Sequence, residues 1–218
     1  MNFAELALFS GLNNDEVDVF VKNTKGYVNN YDKGDFVLKP YEPNSNIGVL
    51  LEGKAEVITE DRFGNEFIGH SLERGALLGS ASAILSEEYS PEAIRALTKL
   101  SALWIPYRSL ITAGPKLGRI HGIVMKNLLE AFCTDKVLLM EKLNLLSQKS
   151  LRERLILYLL QKERRYGTEK VVVPGRIQLA KELECNRSAL TREISLMKDD
   201  GILIEGADWM RLDKNKLE

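Results

Sequence analysis

The sequence predicts an α+β chain with a mostly β N-terminal half, one long helix and a C-terminal winged helix-turn-helix. Three observations lead to this fold class. Short alternating apolar runs broken by glycine extend to about Pro106, and apolar residues recur every seven positions after Pro115. Beyond residue 150, the patterns of a helix, two closely spaced helices and a β-ribbon follow one another. This order separates a β half from a helical half.

Length and composition are those of an ordinary globular protein. The chain has 218 residues, 44% apolar and 28% charged, so it can bury the cores of one large or two small domains. No segment approaches the roughly 20 apolar residues of a membrane-spanning helix, and the first residues lack the basic leader of a secretory signal. The two cysteines, Cys133 and Cys185, provide neither a disulfide framework nor a metal-ligand spacing. We therefore expect a cytoplasmic protein without a membrane partner.

The distribution of charge is more informative than its sum. Residues 1–146 contain 15 Lys and Arg against 19 Asp and Glu, whereas residues 147–218 contain 15 against 12. The resulting net charges are −4 and +3, which add up to the −1 of the whole chain. Since an acidic and a basic surface attract different partners, the two parts are expected to bind different molecules.

The first 106 residues predict a short helical segment followed by antiparallel strands. Apolar residues near the N-terminus have a helical spacing, with Leu6, Phe9 and Leu12 on one side. Glycines then recur at 11-residue intervals between residues 53 and 75, which is typical of a compact antiparallel sandwich or barrel. Residues 61–65 (DRFGN) separate two alternating runs and predict a hairpin turn. The clearest predicted strands are Ile47–Leu51, Ala55–Thr59, Phe67–Leu72 and Ala102–Ile105.

After Pro115 a broad apolar stripe predicts a helix of about 30 residues, which spans ~45 Å at 1.5 Å per residue. Such a helix can bury one side on its own domain and the other on a second copy, so a homodimer is predicted. The alternative is a helix buried in the core of a monomer. Residues 147–150 (SQKS) interrupt the stripe. One row of the stripe is Leu117, Val124, Ala131, Leu138 and Leu145, and the flanking row is Met125, Phe132, Leu139 and Leu146.

The segment after residue 150 has the outline of a winged helix-turn-helix. Its first helix is expected to stop at Gly167, because glycine readily adopts the left-handed conformation that ends helices. The predicted elements are a helix over 151–167, a strand over 171–173, helices Arg176–Glu182 and Asn186–Lys198, and a two-stranded ribbon of 202–204 and 209–212.

The last of these helices has one narrow apolar stripe and an opposite face of arginines and hydroxyls. Its stripe and that of the preceding helix can close a small core against the helix over 151–167. Asn186 suits the N-cap, since its side chain can accept from a free N–H of the first turn. The positive end of the helix dipole lies there too and favours phosphate. The apolar residues of the two stripes are Leu179, Ala180, Leu183, Leu190, Ile194 and Met197.

Two interpretations fit such a helix: a solvated surface helix, or a helix that lies in a DNA groove. Arg187 and Ser188 occupy the first turn, where a recognition helix meets base edges, and Arg192 lies one turn further along. Arginine can pair bidentately with guanine, which contributes ~1–3 kcal/mol of discrimination per contact. The helix order, the loop length and the ribbon favour the DNA-binding interpretation. The candidate DNA-binding residues are Arg176, Asn186, Arg187, Ser188, Thr191, Arg192 and Ser195.

Nearly the whole chain resembles the Crp/Fnr family of bacterial transcription regulators. The glycine-rich strands up to about residue 110 resemble its cyclic-nucleotide-type β-roll, and residues 115–146 resemble its dimerising helix. The stretch RIQLAKELECNRSALTREISLMKDDGILI (176–204) resembles its DNA-binding unit. The resemblance implies a double-stranded β-helix (β-roll or jelly-roll) sensor over 1–110, a dimerisation helix over 111–146 and a winged helix-turn-helix over 147–218. It also implies a homodimer on pseudo-palindromic double-stranded DNA, a small-molecule effector, and RNA polymerase as a candidate partner.

Two positions depart from the family's DNA-binding pattern. The family's Ser/Thr-Arg-Glu-x-x-x-Arg core aligns with residues 186–192 (NRSALTR), so Arg187 and Arg192 match its arginines while Ser188 replaces its glutamate. Because a carboxylate is what accepts from cytosine N4, the half-site common in the family is put in question. Glu184 replaces the glycine usual in the turn, which predicts a strained backbone position.

The effector site that the resemblance implies departs further from the family's pattern. The family's nucleotide cassette needs a glycine and an acid for the ribose, and an Arg-Ser pair for the phosphate. Ser80 stands where the acid belongs, and Pro91-Glu92 aligns with the Arg-Ser pair. Since glutamate repels phosphate and proline lacks a donor, a cyclic nucleotide is not the expected effector. Either another small ligand binds or the pocket is empty. The candidate pocket residues are Gly79, Ser80, Ala81, Ser82 and Arg95.

The remaining residues carry no metal, haem or iron–sulfur signature, and the sequence does not identify a cofactor. An iron–sulfur cluster needs four cysteine ligands, and this chain has two distant ones. His70 and His121 are interpreted as partly exposed structural histidines rather than haem ligands. Cys133 is expected to be a buried packing residue. Cys185 lies near a helix N-terminus, which can lower the pKa of a thiol, so it is either a packing residue or a redox switch.

An enzyme is not predicted. The chain has no glycine-rich phosphate loop, no metal-ligand spacing and no Ser/His/Asp order, and Glu87-Glu88 is interpreted as solvated. The remaining alternative to a DNA-binding regulator is an adaptor whose winged helix binds protein. The salt dependence of DNA binding distinguishes the regulator from the adaptor, because a DNA-binding protein loses affinity for DNA steeply as the salt concentration rises. For the regulator, we hypothesise that a pocket event changes the long-helix interface and that residues 147–150 transmit it.

Overall fold

The computed structural model describes residues 3–60, 66–85 and 92–217, and for residues 60 and 66–70 it describes only the backbone. The chain forms two compact units, Met1–Phe132 and Cys133–Glu218. The division between them falls within the long helix, whereas the sequence predicts boundaries after residues 110 and 146. The order of the elements confirms the predicted α+β class, with a β-rich N-terminal part followed by helices.

Antiparallel sheets form the β part of the first unit. Its strands are β1 (Tyr27–Tyr31), β2 (Phe36–Leu38), β3 (Asn46–Glu52), β4 (Ala55–Glu60), β5 (Glu66–Leu72), β6 (Leu77–Leu78), β7 (Glu92–Ala96) and β8 (Leu100–Pro106). They pair in two four-stranded sheets of order β1-β8-β3-β6 and β2-β7-β4-β5. Pairing of β4 with β5 extends to Glu60 opposite Glu66. The predicted turn over 61–65 lies outside the described residues.

Strands β3 and β8 lie at the centre of the first unit's core. All of β8 except its last residue is buried. Gly48 of β3 lies against it: a Cβ there would be 2.8 Å from Cζ3 of Trp104 and 2.9 Å from Cβ of Leu78. The indole Nε1 of Trp104 donates to the Tyr31 hydroxyl at 2.9 Å. The ring is therefore held in place, and position 48 has no room for a side chain.

Short helical segments accompany the sheets. Helix α1 (Asn14–Asn23) begins with a capping box, in which the Asn13 side chain accepts from the Glu16 backbone and the Glu16 side chain accepts from the Asn13 backbone. Two 3₁₀ turns precede it, and the predicted N-terminal apolar residues lie in the core there. The other short helices of the first unit are α2 (Ser80–Leu85), α3 (Tyr107–Thr112) and α4 (Gly114–Leu117).

The long helix α5 covers the 28 residues Arg119–Leu146, in the predicted place. In its first half, Val124 and Leu128 are buried in the first unit's core. Asn127 Nδ2 donates to the carbonyl of Leu8 at 3.0 Å. This half of the helix is thus joined to the first unit by both apolar contacts and hydrogen bonds.

The second half of α5 is exposed over 133–140. Cys133 is exposed, so the prediction that it is a buried packing residue is wrong. An apolar position on a helix is buried only where another element packs against it. The exposed large apolar side chains of this half, between 41% and 60% exposed, are Val137, Leu138, Leu139, Met140 and Leu143.

No helix among the described residues is both long and apolar enough to cross a membrane.

The second unit contains the end of α5, a further helix, a helix-turn-helix and a small sheet. Helix α6 (Leu151–Tyr166) begins with a capping box between Ser150 and Glu153. It ends at Gly167, whose φ of +67° makes it the predicted left-handed stop. The remaining elements are β9 (Val171–Val172), α7 (Arg176–Glu182), α8 (Arg187–Asp199), β10 (Leu203–Glu205) and β11 (Trp209–Leu212).

The predicted ribbon strands pair as β10 and β11, and the short strand predicted over 171–173 joins them as β9, so the small sheet has three strands in the order β10-β11-β9. Val171 of β9 lies opposite Met210 of β11, and Val172 lies opposite Trp209. Val171 and Met210 are both buried in the second unit's core. Burial of this pair explains why a two-residue strand joins the ribbon, which residue spacing alone does not indicate.

The core of the second unit is the predicted one. All six residues of the two apolar stripes on α7 and α8 are buried, and they pack with Leu155 and Leu159 of α6. Full burial of a leucine-sized side chain contributes about 1.5–3 kcal/mol. These contacts therefore determine which face of α8 is directed to solvent.

Replacement of Gly48 by Ala is expected to destabilise the first unit by about 1–3 kcal/mol, because the added methyl group would overlap Trp104 and Leu78. Urea unfolding followed by tryptophan fluorescence measures this loss. Gly122→Ala on α5 is the control, since a Cβ there meets no heavy atom within 4 Å, and about 1 kcal/mol of stabilisation is expected from helix propensity. Equal unfolding free energies for the two variants would contradict the close approach at Gly48.

Candidate nucleic-acid interface

Helix α8 has a buried side and a polar exposed side. Leu190, Ile194 and Met197 are at most 2% exposed, as predicted from their spacing. The candidate DNA-binding residues of this helix are all exposed: Arg187, Ser188, Thr191, Arg192 and Ser195. The structure thus brings five predicted residues together on one solvent-facing surface.

The start of α8 differs in one respect from the prediction. Asn186 occupies the N-cap position, with φ −72° and ψ 138°, but its side chain accepts no hydrogen bond from the first turn. The prediction of a capping hydrogen bond is therefore wrong. Backbone N–H groups at a helix start that lack a side-chain cap are available to an external acceptor.

The three arginines among the candidate DNA-binding residues differ in whether they form an ion pair. Among the residues that the structure describes, Arg187 and Arg192 form no ion pair. The Thr191 hydroxyl donates to the carbonyl of Arg187 at 2.9 Å, within the helix. Arg176, by contrast, forms an ion pair with Glu205 at the end of β10. Arg187 and Arg192 are the cations that can meet an external anion without first losing a partner.

The turn between α7 and α8 is fixed by backbone conformation and by two cations. Glu184 has a φ of +49°, which confirms the strained position predicted from the missing glycine. Arg154 of α6 donates from Nη1 to the carbonyl of Leu183 at 2.9 Å, and Lys142 of α5 donates from Nζ to that of Glu182 at 2.5 Å. These carbonyls end α7 and lack helical partners. Sequence reasoning missed both cations, because nothing in their spacing distinguishes them from solvated ones.

A second arginine of α6, Arg152, contacts α8 itself. Arg152 Nε donates to Oε1 of Glu193 at 2.7 Å, and its Nη1 lies 2.7 Å from Oδ2 of Asp200. These hydrogen bonds raise the pKa of the Arg152 guanidinium. Because Glu193 is on α8 and Asp200 directly follows it, Arg152 restrains the rotation of the helix. This residue too was not a sequence candidate.

Two titratable groups of the second unit are shifted by burial. Burial and a hydrogen bond to Glu182 raise the pKa of Tyr158, whose hydroxyl donates to Oε2 at 2.8 Å. Burial also raises the pKa of the Cys185 thiol, and the nearby Arg154 offsets this only in part. Cys185 packs against the second unit's core, and a thiol with a raised pKa is a poor redox switch, so the packing interpretation is favoured.

The predicted effector residues are divided between two environments. Gly79 has a φ of +62°, and its carbonyl accepts from Asn44 Nδ2 at 2.8 Å. The Ser82 hydroxyl donates to the same carbonyl at 3.1 Å and also accepts from Asn44 at 3.1 Å. Ser80 begins α2, and Ala81 is exposed beside it. The hydroxyl of Ser82 is thus engaged in fixing the turn before α2.

Arg95 lies on β7, in the other sheet from the β6 strand that precedes Gly79. Its Nε and Nη2 donate to one oxygen of Glu56 at 3.0 and 2.8 Å. Glu56 is its register partner on β4 and is buried. The charge of this candidate effector ligand is therefore balanced within the sheet. Pro91, which aligns with the first residue of the family's Arg-Ser pair, lies outside the described residues. The carboxylate pair Glu87-Glu88 lies outside them as well.

The histidines and cysteines form no metal site within the described part of the chain. No group of three or more His, Cys, Asp or Glu side chains that could hold a metal ion is found there. A ring nitrogen of His121 lies 2.9 Å from the carbonyl of Leu110, and the side chain is partly buried, as expected of a structural histidine. The side chain of His70 lies outside the described residues.

The chain is similar to known proteins along most of its length. The family model for the cyclic nucleotide-binding domain matches residues 28–113. The catabolite activator protein of Thermus thermophilus is 21% identical with a TM-score of 0.54, covering 97% of this chain and 95% of that one. CprK complexed with OCPA is 15% identical with a TM-score of 0.67, covering 89% and 91%. A CooA mutant from Carboxydothermus hydrogenoformans is 18% identical with a TM-score of 0.60, covering 88% and 86%. Curated protein sequences gave no match.

These similarities confirm the resemblance to the Crp/Fnr family. Residues 28–113 match the model of the cyclic nucleotide-binding domain, and the chain has the fold of the Crp/Fnr regulators. At identities of 15–21%, a structural likeness establishes the fold and does not transfer a ligand.

Replacement of Glu184 by Gly is expected to stabilise the second unit by roughly 1 kcal/mol relative to Glu184→Ala, because only glycine adopts a φ of +49° without steric cost. Both variants remove the same 3.8 Å ion pair with Lys142, so the comparison isolates the backbone effect. Thermal unfolding followed by circular dichroism measures the difference. Equal melting temperatures for the Gly and Ala variants would show that this turn is not strained.

Proposed function

We propose that the protein is a homodimeric transcription regulator that binds a specific double-stranded DNA site through α8. The observation that supports this most directly is the pair Arg187 and Arg192, which are exposed opposite the buried stripe and have no ionic partner among the described residues. Two positive charges on one helix that have no ionic partner attract a polyanion. Their guanidinium groups provide the planar donors that match guanine O6 and N7.

The neighbouring groups support groove binding rather than simple solvation. Ser188 and Ser195 add hydroxyl groups to the same exposed surface as the arginines. The first turn of α8 adds backbone N–H groups without a side-chain cap, which suit a phosphate oxygen. In this proposal Arg187, Ser188, Thr191, Arg192 and Ser195 face the DNA, and Asn186 and Arg176 lie at its phosphate backbone.

Dimerisation through α5 is the second part of the proposal. The exposed apolar row on α5 is unusually long for a surface in water, and a second copy would bury it. A twofold interface places two α8 helices on the same DNA, about one turn or 34 Å apart, which predicts a pseudo-palindromic site. We propose residues 1–110 as the sensor, 111–146 as the dimerisation part and 147–218 as the DNA-binding part.

A small effector other than a cyclic nucleotide is proposed to act through the sensor. The pairing of Arg95 with Glu56 supports this, since a cyclic phosphate needs a cation whose charge is not already balanced. Gly79, Ser80, Ala81, Ser82 and Arg95 remain the candidate pocket residues. The match of residues 28–113 to cyclic nucleotide-binding domains favours a cyclic-nucleotide-responsive regulator as the second candidate. An effector-independent regulator with an empty pocket is the third.

Regulation requires that the effector bind one dimer arrangement better than the other. In the proposed mechanism, ligand binding in the sensor alters the α5 interface, and residues 147–150 transmit the change to the DNA-binding part. Ser150 belongs to this link and caps α6, so a change there would act directly on the helix that holds α8.

Arg187→Ala and Arg192→Ala are expected to abolish sequence-specific binding while dimerisation survives. Each removes contacts worth about 1–3 kcal/mol, equivalent to roughly five- to 150-fold in affinity. Fluorescence anisotropy on a site selected from random duplexes measures the loss. Lys116→Ala, which removes an exposed cation from the first unit, is the control. Unchanged affinity in both arginine variants would refute the assignment of α8. Binding that does not weaken steeply with salt would favour an adaptor function.

Leu139→Glu on α5 is expected to convert the dimer to a monomer, because a carboxylate would be desolvated in the interface. Light scattering during gel filtration measures the molar mass. Leu85→Glu on α2 is the matched control, since its leucine is 66% exposed against 60% for Leu139. A dimer that persists in the Leu139 variant at micromolar concentration would refute this interface.

A further inference from the structure

One carboxylate lies between two cations of the helix-turn-helix. Glu205 Oε1 contacts Nη2 of Arg176, the first residue of α7, and its Oε2 lies 3.1 Å from Nζ of Lys198 in the last turn of α8. Glu205 itself is the last residue of β10. We call these three residues the acidic bridge. It connects both helices of the helix-turn-helix to the small sheet through a single side chain.

The acidic bridge is partly shielded from solvent. The side chains of Glu205 and Arg176 are 22% and 27% exposed, and that of Lys198 is 47% exposed. Burial opposes ionisation of Glu205, but the hydrogen bond from Lys198 and the charge of Arg176 outweigh it and lower the pKa of this carboxyl. Glu205 is therefore ionised at neutral pH and balances one of the two positive charges.

The bridge contrasts with the other cations of the same surface. Arg187 and Arg192 are exposed on α8, and the part of the chain that the structure describes offers them no ionic partner. Arg176 and Lys198 must exchange a carboxylate for a phosphate before they contribute to binding. The displaced carboxylate then lies beside the phosphate backbone, which repels it. Both effects weaken phosphate contacts and leave base contacts unchanged.

We propose that Glu205 limits the affinity of the DNA-binding surface for the phosphate backbone by holding Arg176 and Lys198. The inference rests on the proposed function. The ligand whose binding Glu205 limits is the phosphate backbone of any DNA duplex. Since phosphate contacts are the same in every sequence, Glu205 lowers specific and non-specific affinity by the same factor. Base contacts then account for a larger share of the total binding.

Glu205→Gln in the full chain tests the proposal, because glutamine keeps the shape of the side chain and removes its charge. Freeing one or two cations is expected to lower the Kd for a random-sequence duplex about three- to tenfold at low salt. The slope of log K against log salt should become steeper by about 0.9 to 1.8. The affinity for a selected site should rise by the same factor, leaving the specificity ratio unchanged. Fluorescence anisotropy over a salt series gives all three quantities.

Glu163→Gln on α6 is the matched control. Its side chain is 21% exposed and lies 2.5 Å from Nζ of Lys214, so the same charge is lost from a similar ion pair. Its Kd should stay within about twofold of the wild-type value. Adding Arg176→Gln to Glu205→Gln should remove most of the gain. If the Glu205 variant fails to fold, Lys198→Gln in the wild-type chain replaces it and should change the Kd less than twofold, since Glu205 already holds that ammonium group.

The outcomes separate this inference from the proposed function. Equal tightening in the Glu205 and Glu163 variants would reflect net charge alone and would overturn the inference. A changed specificity ratio would overturn it too, because Glu205 would then contact bases. A large loss of affinity in Lys198→Gln would have the same consequence. A wild-type chain that binds no duplex even at low salt would refute the proposed function, and the inference with it.

Discussion

The exposed face of α8 depends on the turn that joins this helix to α7. Glu184 reverses the chain in a left-handed conformation, and the carbonyls around it are bound by Arg154 from α6 and Lys142 from α5. Arg152 adds contacts to Glu193 on α8 and to the residue that follows the helix. The buried stripe of α8 is narrow, so a modest rotation about its axis would bury polar groups and expose apolar ones. The turn and Arg152 restrain that rotation, and the surface of α8 depends on both.

Cations in the second unit serve three different purposes, although they look alike in the sequence. Lys142 and Arg154 bind backbone carbonyls, and Arg176 and Lys198 share a carboxylate. Arg187, like Arg192, is exposed and has no ionic partner within the described residues. Net charge alone therefore does not show which cations of this unit are available to DNA. The local field determines where a polyanion binds, and Arg187 and Arg192 contribute to it on the exposed face of α8.

Features that follow from periodicity could be predicted from the sequence, and features that follow from tertiary partners could not. The buried stripe of α8 and the stop at Gly167 follow from local rules, because helix spacing and glycine conformation are properties of a short segment. The predictions that Cys133 is buried and that the Asn186 side chain caps α8 were wrong, because both depend on which groups approach from elsewhere. The same reason explains why the pairing of Arg95 with Glu56, and hence the electrostatics of the sensor, appears only in the structure.

A weak phosphate affinity in each copy has a consequence for how the proposed dimer would work. If Glu205 limits the phosphate contacts of one copy, a single DNA-binding part is held mainly by the few base contacts of α8. Linking two copies through α5 makes the second binding event intramolecular, with an effective concentration in the millimolar range for a short connection, and so raises the affinity by orders of magnitude. The gain requires that both helices reach their half-sites together. Occupancy then depends steeply on the dimer arrangement, which is the quantity that an effector in the sensor could change. The carboxylate that weakens each copy would thus make the pair responsive.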